Sequence, residues 1–299
     1  MNWKCLGLVV LLTIGACEPI NEQNWFENEV VTLDWTAANP TTGYRPSEVG
    51  SLALYYYPQD KSGTMSCQEY LCDKDVVSVP LESGHYDMLA ISNDKSVHKD
   101  KYYRSAYVAF QTELDSLQNR VIVAGGEEMI YKGSLSDVSV ENDRKQSRKV
   151  VLHRLLKKLT FIVNIFDYQE LTHNVAIEMS GVASRMLLHN EKPEADSEAI
   201  LRTRINKLGR EAQTELGVHT TFKGTVHVLG VTGYNILSLA FVDCRGVEKM
   251  LELDITSYLK TWDTEEAVVY VNINSPQEYA NLERWNTING DIIINNQDL

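Results

Sequence analysis

Cys17 is the residue whose surroundings define its chemistry most clearly. Residues 13–16, Thr-Ile-Gly-Ala, precede it as in a bacterial lipobox, and the apolar stretch Leu6–Ile14 has signal-peptide length, too short to span a bilayer. Each buried methylene of a fatty acyl chain, palmitate for example, contributes about 0.8 kcal/mol, so several chains make a permanent anchor. The sequence therefore predicts a signal peptide over residues 1–16, lipidation of Cys17 and a tether over residues 17–28. The alternative is an ordinary signal peptide with an incidental cysteine.

Three further cysteines, Cys67, Cys72 and Cys244, remain after the predicted signal peptide and lipidation site. Cys67 and Cys72 are spaced to close a small loop, and an oxidising compartment would favour a disulfide between them. A disulfide and two free thiols are both open at this point. Cys244 ends an apolar run and is predicted to be a buried strand residue. A metal site is not favoured, because no second pair of ligands lies near Cys67 and Cys72.

The sequence contains none of the common catalytic motifs. It has no His-Glu-x-x-His zinc helix, no Gly-x-Ser-x-Gly elbow, no phosphate-binding loop and no dinucleotide fingerprint. Among seven scattered histidines, only His219 and His227, on either side of a predicted turn at Gly224, are placed to face each other, and they lack a third ligand. We expect no catalytic residue, no cofactor and no metal, and hence no enzyme. An active site assembled only by the tertiary structure stays open as an alternative.

The charge of the chain argues against a nucleic-acid partner. The sequence has 41 acidic and 28 basic residues and a net charge of −13. A nucleic-acid-binding protein needs a basic face to neutralise phosphates. An acidic surface instead favours solubility outside the cell.

Aromatic residues offer a route to ligand binding without a catalytic motif, because their faces can stack on sugar rings. Three consecutive tyrosines in a strand must point to both faces, so at least one of them should lie in the core. The candidates for stacking are Trp25, Trp35, Trp262, Trp285 and the run Tyr55, Tyr56 and Tyr57.

The dominant pattern along the chain is period-two alternation in short segments rich in Val, Ile, Tyr and Thr, separated by Gly, Asn, Asp and Pro. This pattern predicts an all-β protein built as antiparallel sandwiches, in which each strand buries one face and exposes the other. Only residues 193–208 are predicted as a helix or a long excursion, and residues 153–158 can form a helical turn. The predicted strands are 30–35, 52–57, 76–79, 85–91, 107–110, 120–124, 130–133, 159–166, 174–179, 184–188, 224–231, 236–242, 250–255, 267–273 and 291–295.

A hydrophilic stretch over residues 136–149 divides these strands into two groups and is predicted to connect two domains. A chain of 299 residues with 43% hydrophobic content can bury two cores. We place the boundary near Arg148, with an N-terminal sandwich over residues 29–147 and a C-terminal sandwich over residues 148–299. The fold predicted after the lipoprotein signal peptide is therefore two tandem antiparallel β-sandwich domains.

Several motifs in order carry a family resemblance. A strand ends in Asp34-Trp35, a later one ends in Tyr57-Pro58, and a Pro-x-x-x-Gly-x-Tyr turn starting at Pro80 leads into a strand that ends at Asn93. Together with the run from Arg148 to Phe161, these motifs resemble the N-terminal domain and the domain junction of fimbrillin-related lipoproteins from Bacteroidales. The resemblance implies sandwiches of the fimbrillin or transthyretin-like kind. Residues 189–216 depart from the family pattern.

The resemblance also implies a function. It predicts an outer-membrane lipoprotein, held by lipid on Cys17, that is an anchor or minor subunit of a fimbria-like fibre at the cell surface. Its partners would be other fimbrial subunits and host or bacterial surface ligands, with contacts made by donation of a strand to a neighbouring sandwich. The candidate donor strand contains Ile292, Ile293 and Ile294, and a last strand that completes its own sandwich is the alternative. A surface glycan-binding lipoprotein is the alternative function, and an enzyme of unknown chemistry is the third.

Overall fold

The computed structural model describes residues 28–59, 67–92, 94–100, 102–123, 129–141, 144–166, 174–214, 217–242, 246–273, 280–281, 287–288 and 291–293. Strands account for most of these residues, and the one α-helix, α1, covers Thr256–Leu259. The prediction of an all-β protein is confirmed. No helix within the described ranges has the length and apolar character needed to cross a membrane.

The first twelve strands lie in the N-terminal half of the chain. They are β1 (Glu29–Asp34), β2 (Leu52–Pro58), β3 (Gln68–Cys72), β4 (Val76–Val79), β5 (Gly84–Ser92), β6 (Val97–His98), β7 (Tyr107–Ala109), β8 (Glu113–Leu114), β9 (Arg120–Val123), β10 (Tyr131–Val140), β11 (Gln146–Val151) and β12 (His153–Arg154).

The remaining twelve strands lie in the C-terminal half. They are β13 (Lys157–Phe166), β14 (Asn174–Ala183), β15 (Arg185–Leu187), β16 (Lys192–Pro193), β17 (Glu198–Thr214), β18 (Gly217–Val228), β19 (Ile236–Val242), β20 (Glu248–Asp254), β21 (Glu266–Ile273), β22 (Ala280–Asn281), β23 (Thr287–Ile288) and β24 (Asp291–Ile293).

Two sheets form a sandwich in the N-terminal half. The sheet β11-β1-β4 and the sheet β12-β10-β5-β2-β3 share one core, to which Leu33, Tyr56 and Met88 contribute. Trp35 is 2% exposed at the end of this core, and its indole N–H donates to the Asp75 carboxylate at 3.0 Å. The alternating apolar side chains of β1 and one face of β2 therefore contribute to the core of this sandwich.

The C-terminal half contains one long sheet, in the order β20-β19-β14-β17-β18-β13-β21-β24-β23, with β22 and the pair β8–β9 attached at its side. Residues from strands far apart in this order, such as Leu253 of β20 and Val269 of β21, contribute to one core. The sheet therefore curls over on itself around that core.

The two halves interlock. Strand β9 pairs with β17, and β7 pairs with β15, so strands that precede residue 124 join sheets of the C-terminal half. A third core lies between the halves and brings Tyr55 and Tyr57 of β2 together with Met186 and Leu229. Because β2 has a core on each of its faces, all three tyrosines of its run are at most 2% exposed.

The predicted boundary near Arg148 falls inside β11. Residues 146–151 pair in parallel with β1, and the Arg148 guanidinium donates to the buried carboxylate of Glu29 at 3.2 Å. The chain therefore leaves the N-terminal sandwich after β12, at residue 154. The hydrophilic stretch 136–149, predicted as a connection, instead contains the end of β10 and the start of β11.

The segment predicted as a helix or excursion, residues 193–208, enters the longest strand, β17. Ala199, Leu201 and Ile205 point into the core, while Arg202 between them binds Glu178 and Asp115 across the sheet. These outward charges made the strand resemble a helical segment in composition. Residues 153–158, the predicted helical turn, likewise contain β12 and the start of β13.

Among the strands that the structure describes, four pairs are parallel: β1–β11, β13–β21, β9–β17 and β21–β24. The prediction was purely antiparallel, so this is a correction. Period-two alternation reports which face of a strand is buried and carries no information on the direction of its neighbour.

Candidate functional site

Of the four cysteines singled out in the sequence, the structure describes two, Cys67 and Cys72. Cys17 and Cys244 lie outside the described residues. Cys67 and Cys72 are both free thiols, so the disulfide considered for them is not formed. Cys67 directly precedes β3 and Cys72 ends it. Five residues of extended chain separate their Cα atoms by about 16 Å, far beyond the roughly 4.4–6.8 Å that a disulfide needs.

The predicted donor segment forms β24. Its backbone pairs in parallel with β21, in the register Val269↔Ile292 and Tyr270↔Ile293, and antiparallel with β23. Ile294 lies outside the described residues. In this structure the strand therefore completes a sheet of its own chain, which is the alternative that the sequence left open.

Most of the predicted stacking aromatics are unavailable to a ligand. Trp35 and the run Tyr55–Tyr57 lie in the core, and Trp25 and Trp285 lie outside the described residues. Tyr57 and Tyr103 have ring centroids 5.5 Å apart, so these rings pack on each other inside the protein. Of the predicted set, Trp262 is the partly exposed member within the described residues.

The two histidines that were expected to face each other lie on one strand, β18. Gly224, predicted as a turn between them, is in the middle of that strand and packs closely against Ile205 of β17. Eight residues of strand place His219 and His227 about 26 Å apart. The described residues contain no group of three side chains placed to hold a metal ion.

A charged cluster at the junction of the two halves was not predicted. The Lys132 ammonium of β10, only 2% exposed, donates to the Glu191 carboxylate at 2.5 Å. His153 Nε2 lies 3.0 Å from the same carboxylate. Burial alone would raise the pKa of Glu191, but hydrogen bonds from His153 and Lys132 outweigh it and lower that pKa to about 2. The carboxylate therefore stays charged and joins residues from both halves.

Beside this cluster lies a cavity of about 590 Å³. Glu191 forms part of its wall, together with Lys157, Leu259, Lys260 and Trp262. A further part of the wall is the rim segment, which we define as residues 229–235 between β18 and β19. The cavity has the size, roughly 300–1,000 Å³, and the mixture of apolar and polar walls that are typical of small-molecule sites.

The aromatic wall of the cavity is held by Lys157. Its ammonium donates to the Trp262 carbonyl at 2.8 Å and lies 5.1 Å from the centroid of the Trp262 ring. Burial lowers the pKa of Lys157 from its ordinary value, and the nearby Asp263 charge opposes that shift. This cation–π contact fixes the orientation of the indole.

Sequence reasoning missed the cavity because its residues come from separated segments. Glu191 is in a hairpin turn, Tyr234 is in a connection between strands, and Trp262 follows α1. Only the Trp262 indole carried a signal in the sequence. The glycines at 230 and 233, both with positive φ, mark the rim segment as a turn, but they do not indicate what it encloses.

The described strands define a class of fold, an interlocked two-part β protein. Among solved structures, a "putative adhesin" from Bacteroides thetaiotaomicron is similar at 12% identity, covering 90% of this chain and 98% of that chain, with a TM-score of 0.61. "Putative polysaccharide binding proteins (DUF1812)" from the same species are similar at 11% identity, covering 84% and 92%, with a TM-score of 0.53.

The fimbrial anchor protein Mfa2 from Porphyromonas gingivalis is matched at 13% identity, over 89% of this chain and 98% of that chain, with a TM-score of 0.48. This last similarity is too low to assign a shared fold. No family model and no curated protein match the sequence. The resemblance to fimbrillin-related proteins is thus confirmed at the level of the fold, through its similarity to Bacteroides adhesins.

Proposed function

We propose that this chain is a surface lipoprotein that acts as the anchor or a minor subunit of a fimbria-like fibre, by strand-addition contacts. The observation that carries the proposal is the edge of β21 at which the last described strand of the chain pairs. On one side, eight residue pairs join β21 to β13. On the other side, within the described residues, three residue pairs join β21 to β24 and two join it to β22.

The chemistry of this edge suits exchange of a strand. Along β21, Ala267, Val269 and Val271 are buried and alternate with partly exposed residues, so a new neighbour meets a defined register. One continuous strand from a partner can take the place of β22 and β24 beside β21, with main-chain hydrogen bonds supplying affinity and alternate side chains supplying specificity. Conversely, β24 can leave β21 and pair with the edge of a sheet in another subunit.

The remaining parts of the proposal rest on the sequence. Lipid on Cys17 would hold the chain at the outer membrane with the sandwiches at the cell surface, which suits an anchor that keeps its N-terminus. The fold similarity to a structure described as a "putative adhesin" supports a role in adhesion.

Exchange at β21 is tested with a variant that lacks residues 291–299 and a synthetic peptide of residues 287–299. We expect the shortened protein to bind the peptide and regain thermal stability, whereas the full-length protein, whose own β24 covers the edge, does not bind it. A peptide with Ile293→Pro is the matched control, because proline lacks the N–H that a strand needs. Equal binding of both peptides, or none to a folded shortened protein, contradicts strand exchange.

The donor role is tested in cells. If β24 is donated, the same deletion abolishes co-purification of the neighbouring fibre subunit while circular dichroism shows an intact fold. Retained co-purification contradicts donation by β24 and leaves the edge of β21 as an acceptor only.

A second candidate function is favoured by the cavity. A surface protein that binds glycans needs an accessible site with aromatic and polar walls, and the cavity beneath the rim segment has both. The fold is also similar to that of proteins described as polysaccharide binding. Binding of the purified full-length protein to a glycan array is the test, and absence of binding across the array counts against this function.

A further inference from the structure

The rim segment is a rigid connection. It forms no strand beyond a single bridge between Val231 and Val182, yet hydrogen bonds to β14 hold it at successive residues. The Thr232 N–H donates to the Gly181 carbonyl at 2.6 Å, and the Ser180 hydroxyl donates to the Tyr234 carbonyl at 2.8 Å. The buried Asn235 amide donates to the Ser180 and Gly181 carbonyls. This backbone is preorganised, which reduces the entropy that a ligand must overcome.

The rigid rim segment presents an exposed aromatic ring. Tyr234 is 77% exposed, although its neighbour Asn235 is 2% exposed and the Tyr234 carbonyl is bonded to β14. Tyrosine on a fixed backbone gives a large contact area at a small entropic cost, because few side-chain torsions must be frozen. Its ring is therefore suited to stack on a ligand bound in the cavity that Tyr234 lines.

The cavity wall also carries a fixed hydrogen-bond acceptor, the Glu191 carboxylate. Glu191 has a backbone φ of 54°, in the left-handed region that non-glycine residues seldom adopt, and such strain is concentrated at functional sites. Its side chain is 37% exposed, so part of the carboxylate faces solvent while Lys132 and His153 hold it. A carboxylate held in this way accepts hydrogen bonds from ligand hydroxyls with little rearrangement.

Another lining group adds polar capacity. The Thr232 hydroxyl, which is buried, has no hydrogen-bond partner among the described residues. A buried hydroxyl without a partner lowers the stability of a protein by about 1–3 kcal/mol. Rotation of Thr232 about χ1 would let this hydroxyl donate to an acceptor on a ligand. Apolar Leu229 and Leu259 complete the wall.

An aromatic face, a fixed carboxylate and a spare hydroxyl match a ligand with an apolar face and a rim of hydroxyls. We propose that the cavity beneath the rim segment binds the terminal sugar of a glycan, with Tyr234 stacking on the sugar ring and Glu191 accepting its hydroxyls. The proposal deepens the second candidate function by naming its site, and it is independent of strand exchange at β21.

The test uses the full-length purified protein on an array of defined oligosaccharides that end in neutral or acidic sugars, followed by calorimetric titration with the best binder. Lys157 and Lys260 line the same cavity, so the comparison of neutral with acidic ends shows which kind of sugar they select. We expect Tyr234→Ala to weaken binding at least tenfold. Tyr44→Ala is the matched control, because Tyr44 is also 77% exposed but lies in the N-terminal half and does not line the cavity.

Two results overturn the proposal. Failure of the full-length protein to bind any glycan overturns both the site and the second candidate function. Glycan binding that Tyr234→Ala leaves unchanged overturns the site alone. The melting temperature of each variant is measured alongside, and because Tyr234 is exposed we expect it to stay that of the unsubstituted protein.

Discussion

At the residue scale, Glu191 connects stability with the candidate site. It ties β10 and β12 of the N-terminal half to the hairpin turn that contributes to the cavity wall. Its lowered pKa makes this connection dependent on pH. Because the folded pKa of about 2 lies below the ordinary value of 4.5, the stabilisation is complete above about pH 4.5 and is lost as the pH falls toward 2.

Glu191→Gln should therefore lower the free energy of unfolding at pH 7 by about 1–2 kcal/mol, a range reduced for the partial exposure of the carboxylate. The difference from the unsubstituted protein should shrink between pH 4.5 and the lowest pH at which the protein stays folded. Urea unfolding at several pH values measures this difference in the free energy of unfolding. Glu252→Gln, on the exposed face of β20, is the control. A difference that does not change with pH would show that the ionised carboxylate is not the cause.

The two described cysteines give a second prediction at this scale. Burial raises the pKa of Cys67 and of Cys72 to about 11, so both thiols should react slowly with iodoacetamide at pH 8 and rapidly after unfolding. Mass spectrometry of the tryptic peptide 62–74, from protein purified without reductant, reads both sites. A peptide that is lighter by two hydrogens than the reduced, unmodified peptide would reveal a disulfide and contradict the extended geometry of β3.

At the element scale, the rim segment depends on Gly181 of β14. Gly181 has a φ of +68°, and a side chain there would overlap Asn235 and the Thr232 carbonyl. Gly181→Ala should cost about 2 kcal/mol or more, because backbone strain and overlap add. Gly246, at φ +77° with no atom near the same position, is the matched control. Its alanine variant carries the strain alone and should lose about 1 kcal/mol. Equal losses in chemical denaturation would mean that the close packing under the rim segment does not matter.

The elements also show how far the sequence can predict this fold. Alternation located β1, β19 and β21 because each has one regular buried face, and runs of apolar residues located β2 and β5, which are buried on both faces. It failed at β17, where Arg202 and Arg204 on the outer face resembled a helix, and at β10 and β11, where charged outer residues resembled a connection. The cavity was beyond reach for a different reason, since its walls meet only through pairing of distant strands. No local pattern records that Glu191 lies near Trp262.

At the scale of the whole molecule, the two halves share strands and a core. Strands β7 and β9 pair with strands of the C-terminal half, and Met186 and Leu229 pack with Tyr55 and Tyr57. Domains joined in this way cannot unfold one at a time without exposing apolar surface. We expect one calorimetric transition whose van't Hoff and calorimetric enthalpies agree. The separate fragment 28–147, which lacks most of β11, should fail to fold. Two resolved transitions would instead show independent domains.

The measurement that tests the central claim most directly is an unboiled SDS gel of the native host's membrane fraction, probed for this protein. Subunits joined by strand addition dissociate very slowly, because a complete set of main-chain hydrogen bonds must break together. A fimbrial subunit or anchor should appear as a ladder or a high-mass band that boiling collapses to the monomer. A single monomer band from cells grown under several conditions would contradict the fibre role and favour the glycan-binding function.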